Sequence, residues 1–185
     1  MEKTKKALLV MDMQTSILGS LSDSTKLITD TAQAIKAARV KEIPVIYVVV
    51  GFRQGMPEIS KNNKVFSTIK EHMATVDMKE WTKIHPGVEP HEQDIIITKK
   101  RFSAFTGSDL EVVLRGLDID HLILTGISTS GVVLSTLREA ADKDYKLSVI
   151  EDCCADSDEE VHRILINKIF PKQAEVISLE QWNIL

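Results

Sequence analysis

Two side chains of opposite charge stand just after apolar runs that read as strands: Asp12 behind Ala7-Leu-Leu-Val-Met11, and Lys99 behind Asp94-Ile-Ile-Ile-Thr98. A carboxylate beside a cation can give or take a proton, because each group's field shifts the other's pKa. Topology alone leaves an equal reading, an ion pair that only stabilises the rim of the fold. A third stretch, Leu122-Ile-Leu-Thr-Gly-Ile-Ser-Thr-Ser-Gly-Val-Val-Leu-Ser-Thr136, begins as a strand, breaks at Gly126 and restarts as a helix near Thr129 or Ser130. A strand, a tight polar turn and a helix N-terminus set backbone N–H groups at the carboxyl edge of a sheet. That is a site prepared for a carboxylate, a phosphate or a developing oxyanion.

The phase of the helix after this turn is informative. At about 100° per residue, Val133, Leu134, Leu137, Ala140 and Ala141 share one stripe, the face that must be buried. Val132 lies off that stripe by on the order of 140°, so it is expected to point toward the sheet edge or a neighbouring loop. Many hydrolases place a nucleophile at such a position. A valine can neither attack a carbonyl nor carry an acyl group.

The elements that position these groups follow from periodicity. Ala7–Met11, Pro44–Val50, Asp94–Thr98, His121–Thr125, Lys146–Glu151 and Ala174–Ile177 read as strands. A helix over Lys26–Arg39 carries Ile28, Ala32, Ile35 and Ala38 near one face. Ser108-Asp-Leu-Glu111 reads as a capping box opening a helix to about Gly116. Ser157-Asp-Glu-Glu160 caps another, with Val161, Ile164, Leu165 and Ile169 packing inward, and Ser178-Leu-Glu-Gln181 starts a last turn. Strands separated mostly by helices give an α/β chain: a three-layer, doubly wound, Rossmann-like and mostly parallel six-stranded sheet. In such a sheet the strand carboxyl ends share one rim. Asp12, Arg53, Lys99, Arg101, the Ser128–Val132 turn and Asp152 are therefore expected to converge.

Between Gly51 and Gln93 the pattern weakens around Gly55, Pro57, Pro86 and Pro90, with a helix expected near Asn63–His72. A loop this long is either a lid or binding excursion or a variable surface insertion.

A length of 185 residues is read as a single domain, 1–185, large enough for a core without staples. The net charge of −4 argues against a nucleic-acid or anionic-membrane partner. The run Ala7–Met11 is too short for a signal or a membrane span, so a cytoplasmic protein is expected. Cys153 and Cys154 are adjacent, which disfavours a disulfide and suits a reducing compartment. There is no HExxH, no cysteine at zinc-ligand spacing from a histidine, no GxGxxG after the first strand and no GxxxxGK[ST]. Neither metal nor cofactor is expected, and His72, His85 and His91 are read as surface residues.

Asp12-Met-Gln14, Lys99-x-Arg-x-Ser-Ala-Phe105 and Gly126-Ile-Ser-Thr-Ser-Gly-Val-Val133 resemble, in spacing and order, the isochorismatase-like hydrolases, also called the cysteine hydrolase superfamily. The likeness extends through Asp152-Cys-Cys-Ala-Asp156 and the last helix. It implies the isochorismatase-like hydrolase fold and hydrolysis of C–N or related bonds in small molecules. It makes Asp12 the acid/base aspartate and Lys99 the family's lysine. Gln14 and Ser103 become supporting polar residues, and Ile127–Ser128 becomes a cis peptide that aims turn amides at an oxyanion. Arg53 is a candidate for holding a substrate carboxylate, or a solvated loop arginine.

The family's cysteine nucleophile aligns with Val132, so thiolate chemistry is not supported there. Isochorismatases themselves lack that cysteine: their aspartate protonates a vinyl ether and water completes the hydrolysis. The leading expectation is such noncovalent Asp12/Lys99 chemistry on a small molecule. The alternatives are a member without catalysis, serving as a ligand-binding or assembly module, and an amidase using Cys153 or Cys154. Family members commonly form homo-oligomers, and the resemblance implies one here.

Overall fold

Along β1 (Lys6–Met11) successive side chains enter different cores: Ala7, Leu9 and Met11 pack on one face of a sheet, Leu8 and Val10 on the other. A strand buried on both faces is what a near-continuous apolar run requires. In the computed structural model of the chain, which describes residues 5–73 and 75–184, five further strands join it. They are β2 (Val45–Val50), β3 (Ile95–Lys99), β4 (His121–Ile127), β5 (Lys146–Ala155) and β6 (Glu175–Ile177). The order is β3-β2-β1-β4-β5-β6, and every pairing is parallel. The direction of winding reverses between β1 and β4, the switch point at which open α/β sheets bind ligands.

Helices cover both faces. The first three in the chain are the short α1 (Thr15–Leu18), α2 (Thr25–Val40) and α3 (Lys64–His72). They are followed by α4 (Met78–Trp81), α5 (Leu110–Gly116) and α6 (Leu134–Asp142), then by α7 (Glu159–Ile164) and α8 (Leu179–Ile184). Leu27, Ala34, Ile35 and Ala38 of α2 and Trp182 of α8 pack on the Leu8/Val10 face. The Trp182 indole N–H donates to the Ala34 carbonyl (3.0 Å). Leu110 and Leu114 of α5 and Leu137 and Ala140 of α6 fill the other face. A third, smaller cluster of Val50, Phe52, Met56, Ile59, Phe66 and Met73 gives the Gly51–Gln93 excursion its own core.

Several local expectations need correction. β5 runs four residues past Glu151, its register against β4 shifting between Leu124 and Gly126. Asp152 therefore lies within the strand instead of beyond it. The capping box before α5 does not form: Ser108 accepts from the Leu110 N–H, and Glu111 pairs with Lys143 (2.6 Å). On α7, Asp158 is the cap, accepting from Glu160 and Val161. Ile164 faces solvent, and Leu165, Ile166 and Phe170 are the buried residues of that stretch. The chain there widens into a π-type turn over Leu165–Ile169, which shifts the helical phase on which the inward face was read.

Candidate active site

Asp12 directly follows β1 with φ +56°, a left-handed conformation that aspartate tolerates better than most residues. Its N–H donates to the Val48 carbonyl (2.8 Å), which fixes the turn. Lys99 closes β3, two strands away, and its side chain crosses the rim to reach Asp12: Nζ to Oδ2 is 2.8 Å, with Lys99 1% exposed. The other two ammonium protons are donated to the carbonyls of Arg101 (3.0 Å) and Phe102 (2.9 Å). Asp12 Oδ2 is thus committed, and Oδ1 is buried with no hydrogen-bond partner among the described residues. Burial raises the Asp12 pKa to about 6, against the lowering effect of the Lys99 charge.

β4 delivers the second part of the site. Gly126 has φ +136°, and a Cβ there would fall 2.1 Å from the Met11 carbonyl oxygen, so only glycine lets β4 lie this close to the end of β1. The Ile127–Ser128 peptide is cis. The chain then enters a π-type turn over Thr129–Val133 before α6, with the Val133 N–H donating to Ser128 O and Leu134 N–H to Thr129 O. The wide turn changes the phase assumed for a regular helix. Val132 is 1% exposed, packed into the core as well as standing in the wall of a cavity beside Asp12 and Lys99.

Two amides of the turn are already engaged. Ser130 N–H is taken by the Asp156 carboxylate (2.7 Å), and Gly131 N–H meets Ser128 O and Oγ (3.2 and 3.1 Å). Asp156 reaches this position because β5 is longer than its apolar run suggests.

The cavity has a volume of about 280 Å³. Asp12, Lys99, Ile127, Ser128 and Val132 form one side of it. The excursion supplies Phe66, Ile69 and Trp81 opposite, so the stretch read as either a lid or a surface insertion walls the cavity. Phe66 and Phe102 pack with ring centroids 5.1 Å apart. Gln14 is fully buried and behaves as an extra rung of the sheet. Its Oε1 accepts from Val50 N–H (2.7 Å), and its Nε2 donates to the Val50 and Trp81 carbonyls (3.2 and 2.7 Å). It positions Trp81 and is absent from the cavity wall.

Other expected members lie elsewhere. The Arg53 guanidinium pairs with Glu58 (2.7 Å) in the loop after β2, 74% exposed and outside this cavity. The Ser103 hydroxyl accepts from Phe105 N–H (3.2 Å) within the loop that folds over Lys99. Arg101 donates to Lys100 O and Glu58 O, and Asp152 accepts from Leu179 N–H. Cys153 and Cys154 point to opposite faces of β5, both buried and neither in the cavity wall. Burial pushes both thiols up, Cys154 to about 12, so neither is a ready thiolate. Sequence reasoning overlooked Phe66, Ile69, Trp81 and Phe102, and also Ser20, Leu21 and Ser157. The three-residue spacing of Phe66 and Ile69 on α3 was a usable signal; Trp81 sits in a polar stretch with no period.

The arrangement can hold one proton on a buried carboxyl, balance the anion left behind with a fixed ammonium, and offer aromatic walls to an apolar part of a ligand. Residues 6–181 match the Isochorismatase domain family. An isochorismatase family protein of Escherichia coli O157:H7, YecD, is 32% identical over 178 residues, covering 95% of this chain and 93% of that one. The ureidoacrylate amidohydrolase RutB of Yersinia enterocolitica is 33% identical over 168 residues, covering 79% and 73%. The solved structure of an isochorismatase family protein from Burkholderia thailandensis has a TM-score of 0.83 at 25% identity, covering 97% and 94%. Matched along nearly its whole length in sequence and in fold, the chain belongs to the isochorismatase family of hydrolases.

Proposed function

We propose that this protein hydrolyses a small molecule by noncovalent acid–base chemistry, with Asp12 as the proton donor and Lys99 as its electrostatic partner. The observation that carries this reading is the buried Asp12–Lys99 contact of 2.8 Å in a cavity where hydrocarbon, Val132, stands at the family's nucleophile position. An acid-labile vinyl ether illustrates the step. Asp12 gives its proton to the terminal carbon, leaving an oxocarbenium ion paired with the new carboxylate. Water adds to the cation, Asp12 recovers a proton, and the hemiacetal separates into a carbonyl compound and an alcohol. Lys99 stabilises the carboxylate during the cationic stage, and a carboxyl with a pKa near 6 is suited to donate near neutrality. Ile127, Ser128 and Val132 form the wall against which substrate lies; Gln14 and Ser103 support it from behind.

RutB is named an amidohydrolase, so amides belong in the substrate panel. Two buried, protonated thiols outside the cavity argue against a cysteine amidase here. The net charge of −4 and those unbridged thiols support work in a reducing compartment such as the cytoplasm, on a small molecule and not on nucleic acid or a membrane. A homo-oligomer rests on the family resemblance. The test is a panel of vinyl ethers, amides and esters. Turnover that Asp12→Asn removes and Val132→Ala largely spares supports the reading; binding with no turnover in any form would favour a non-catalytic module.

A further inference from the structure

We propose that Arg101 is a positioning residue for the Lys99–Asp12 pair. Its guanidinium fastens the loop whose carbonyls hold Lys99 to the excursion that walls the cavity, and so keeps the ammonium on the carboxylate. The inference rests on the acid–base reading for what Lys99 does, and on geometry alone for how Lys99 is held.

A lysine has a flexible stem and an ammonium with three donors. Lys99 gives one to Asp12 Oδ2 (2.8 Å) and the other two to the carbonyls of Arg101 (3.0 Å) and Phe102 (2.9 Å). Two consecutive carbonyls therefore set the place of the ammonium as much as Asp12 does. They belong to the loop 100–109 between β3 and α5, whose two halves are anchored differently. The later half is tied to α6 and to itself: Ala104 N–H donates to the Thr136 hydroxyl (2.9 Å), and the Ser108 hydroxyl to Ala104 O (2.6 Å). The early half, which presents the carbonyls, is tied to the excursion.

Arg101 makes that tie. Its Nη1 donates to Lys100 O and its Nη2 to Glu58 O, both at 2.6 Å. A guanidinium is a rigid planar fork, so the two bonds together fix the loop relative to Glu58. Glu58 is a firm anchor, because Met56 and Ile59 on either side of it are buried in the excursion's own core. The guanidinium also lies 5.8 Å from the centre of the Phe66 ring, which packs in turn on Phe102. One side chain thus joins the carbonyls that hold Lys99, the loop after β2 and the aromatic wall. Arg101 is absent from the cavity wall itself, so its effect on the reaction passes through Lys99. Without it the two carbonyls are free to drift, and a small misplacement of a catalytic charge is costly.

The test reads Lys99 directly in the full chain labelled with ¹⁵N. An ammonium with every donor held exchanges slowly with water and gives its own ¹H–¹⁵N signal, assigned by its loss in Lys99→Met. The native chain is expected to show this signal, and Arg101→Met to exchange faster by about tenfold or more. Arg101→Lys, which can still donate to Glu58 O, is expected to fall between the two. Lys100→Met, which removes the same loop's bond to Gly51 O (2.7 Å), is expected to match the native chain. With phenyl vinyl ether, Arg101→Met is expected to lose about tenfold or more in kcat while KM moves by less than about threefold. If Arg101→Met does not fold, Arg101→Gln, whose amide stops short of Glu58 O, takes its place. Exchange unchanged in the Arg101 variant, equal acceleration in Lys100→Met, or no slow signal in the native chain overturns the proposal. Faster exchange with kcat unchanged, or with no turnover in any form, instead sinks the acid–base role of Lys99 and leaves Arg101 as the residue that positions it.

Discussion

Asp12 and Lys99 meet at 2.8 Å with almost no contact with solvent, and only one of the two carboxylate oxygens is used in the meeting. A purely structural ion pair would be expected to satisfy both. Breaking a buried pair leaves an uncompensated charge, whereas Asn at position 12 still offers Lys99 an acceptor oxygen. Asp12→Asn is therefore expected to fold, by circular dichroism, and to lose about 10²- to 10⁴-fold in kcat, the range general acid catalysis supplies.

Lys99→Met removes the charge that holds the Asp12 pKa down against burial, so the carboxyl is expected to titrate above its present value of about 6. The sign for stability follows from linkage. A carboxyl whose folded pKa exceeds its unfolded one contributes stability that is complete below the unfolded value and is lost as pH rises through the folded value. The variant should thus be destabilised by about 3–5 kcal/mol near pH 8, where the unfolded carboxyl is ionised and the folded one has lost its cation, and by less near pH 5. Urea denaturation at the two pH values measures this.

Both cysteines are buried with raised pKa values and stand outside the cavity, so iodoacetamide is expected to leave native activity intact. Val132→Cys would put a thiol into the wall beside Asp12 and Lys99. Mass spectrometry should then find one added carbamidomethyl group, with turnover lost on labelling.

Gly126→Ala tests the meeting of β1 and β4. With φ at +136° and the new Cβ 2.1 Å from Met11 O, backbone must move against backbone. We expect a loss of more than about 4 kcal/mol or no soluble protein, an outcome reserved for such strained or overpacked sites.

The meeting of Asp12 and Lys99 was legible because a parallel sheet gathers its strand carboxyl ends at one rim, and both residues close clearly apolar runs. The same rule failed for Asp152. β5 continues through Asp-Cys-Cys-Ala, whose polar start ends the apolar signal before the strand itself ends, and the residue at the rim is Asp156. Val132 was expected off the buried stripe and toward the sheet edge; it stands in the cavity wall beside Asp12 and Lys99 and is also packed into the core, the π-type turn having altered the phase of a regular helix. Arg53 was placed at the rim by topology, yet Glu58, five residues on, draws its guanidinium into a surface loop. The aromatic wall was the least legible part. Phe66 and Trp81 are brought opposite Asp12 by tertiary packing of an excursion and by Gln14, whose amide holds the Trp81 carbonyl.

The most direct test is kcat/KM for phenyl vinyl ether from about pH 5 to about pH 8, in the native chain and in Asp12→Asn. Proton donation by Asp12 predicts a plateau at acid pH and a fall of about tenfold per unit above about 6, and neither feature in the variant. A rate that rises with pH, or one that survives in the variant with the same profile, would contradict it.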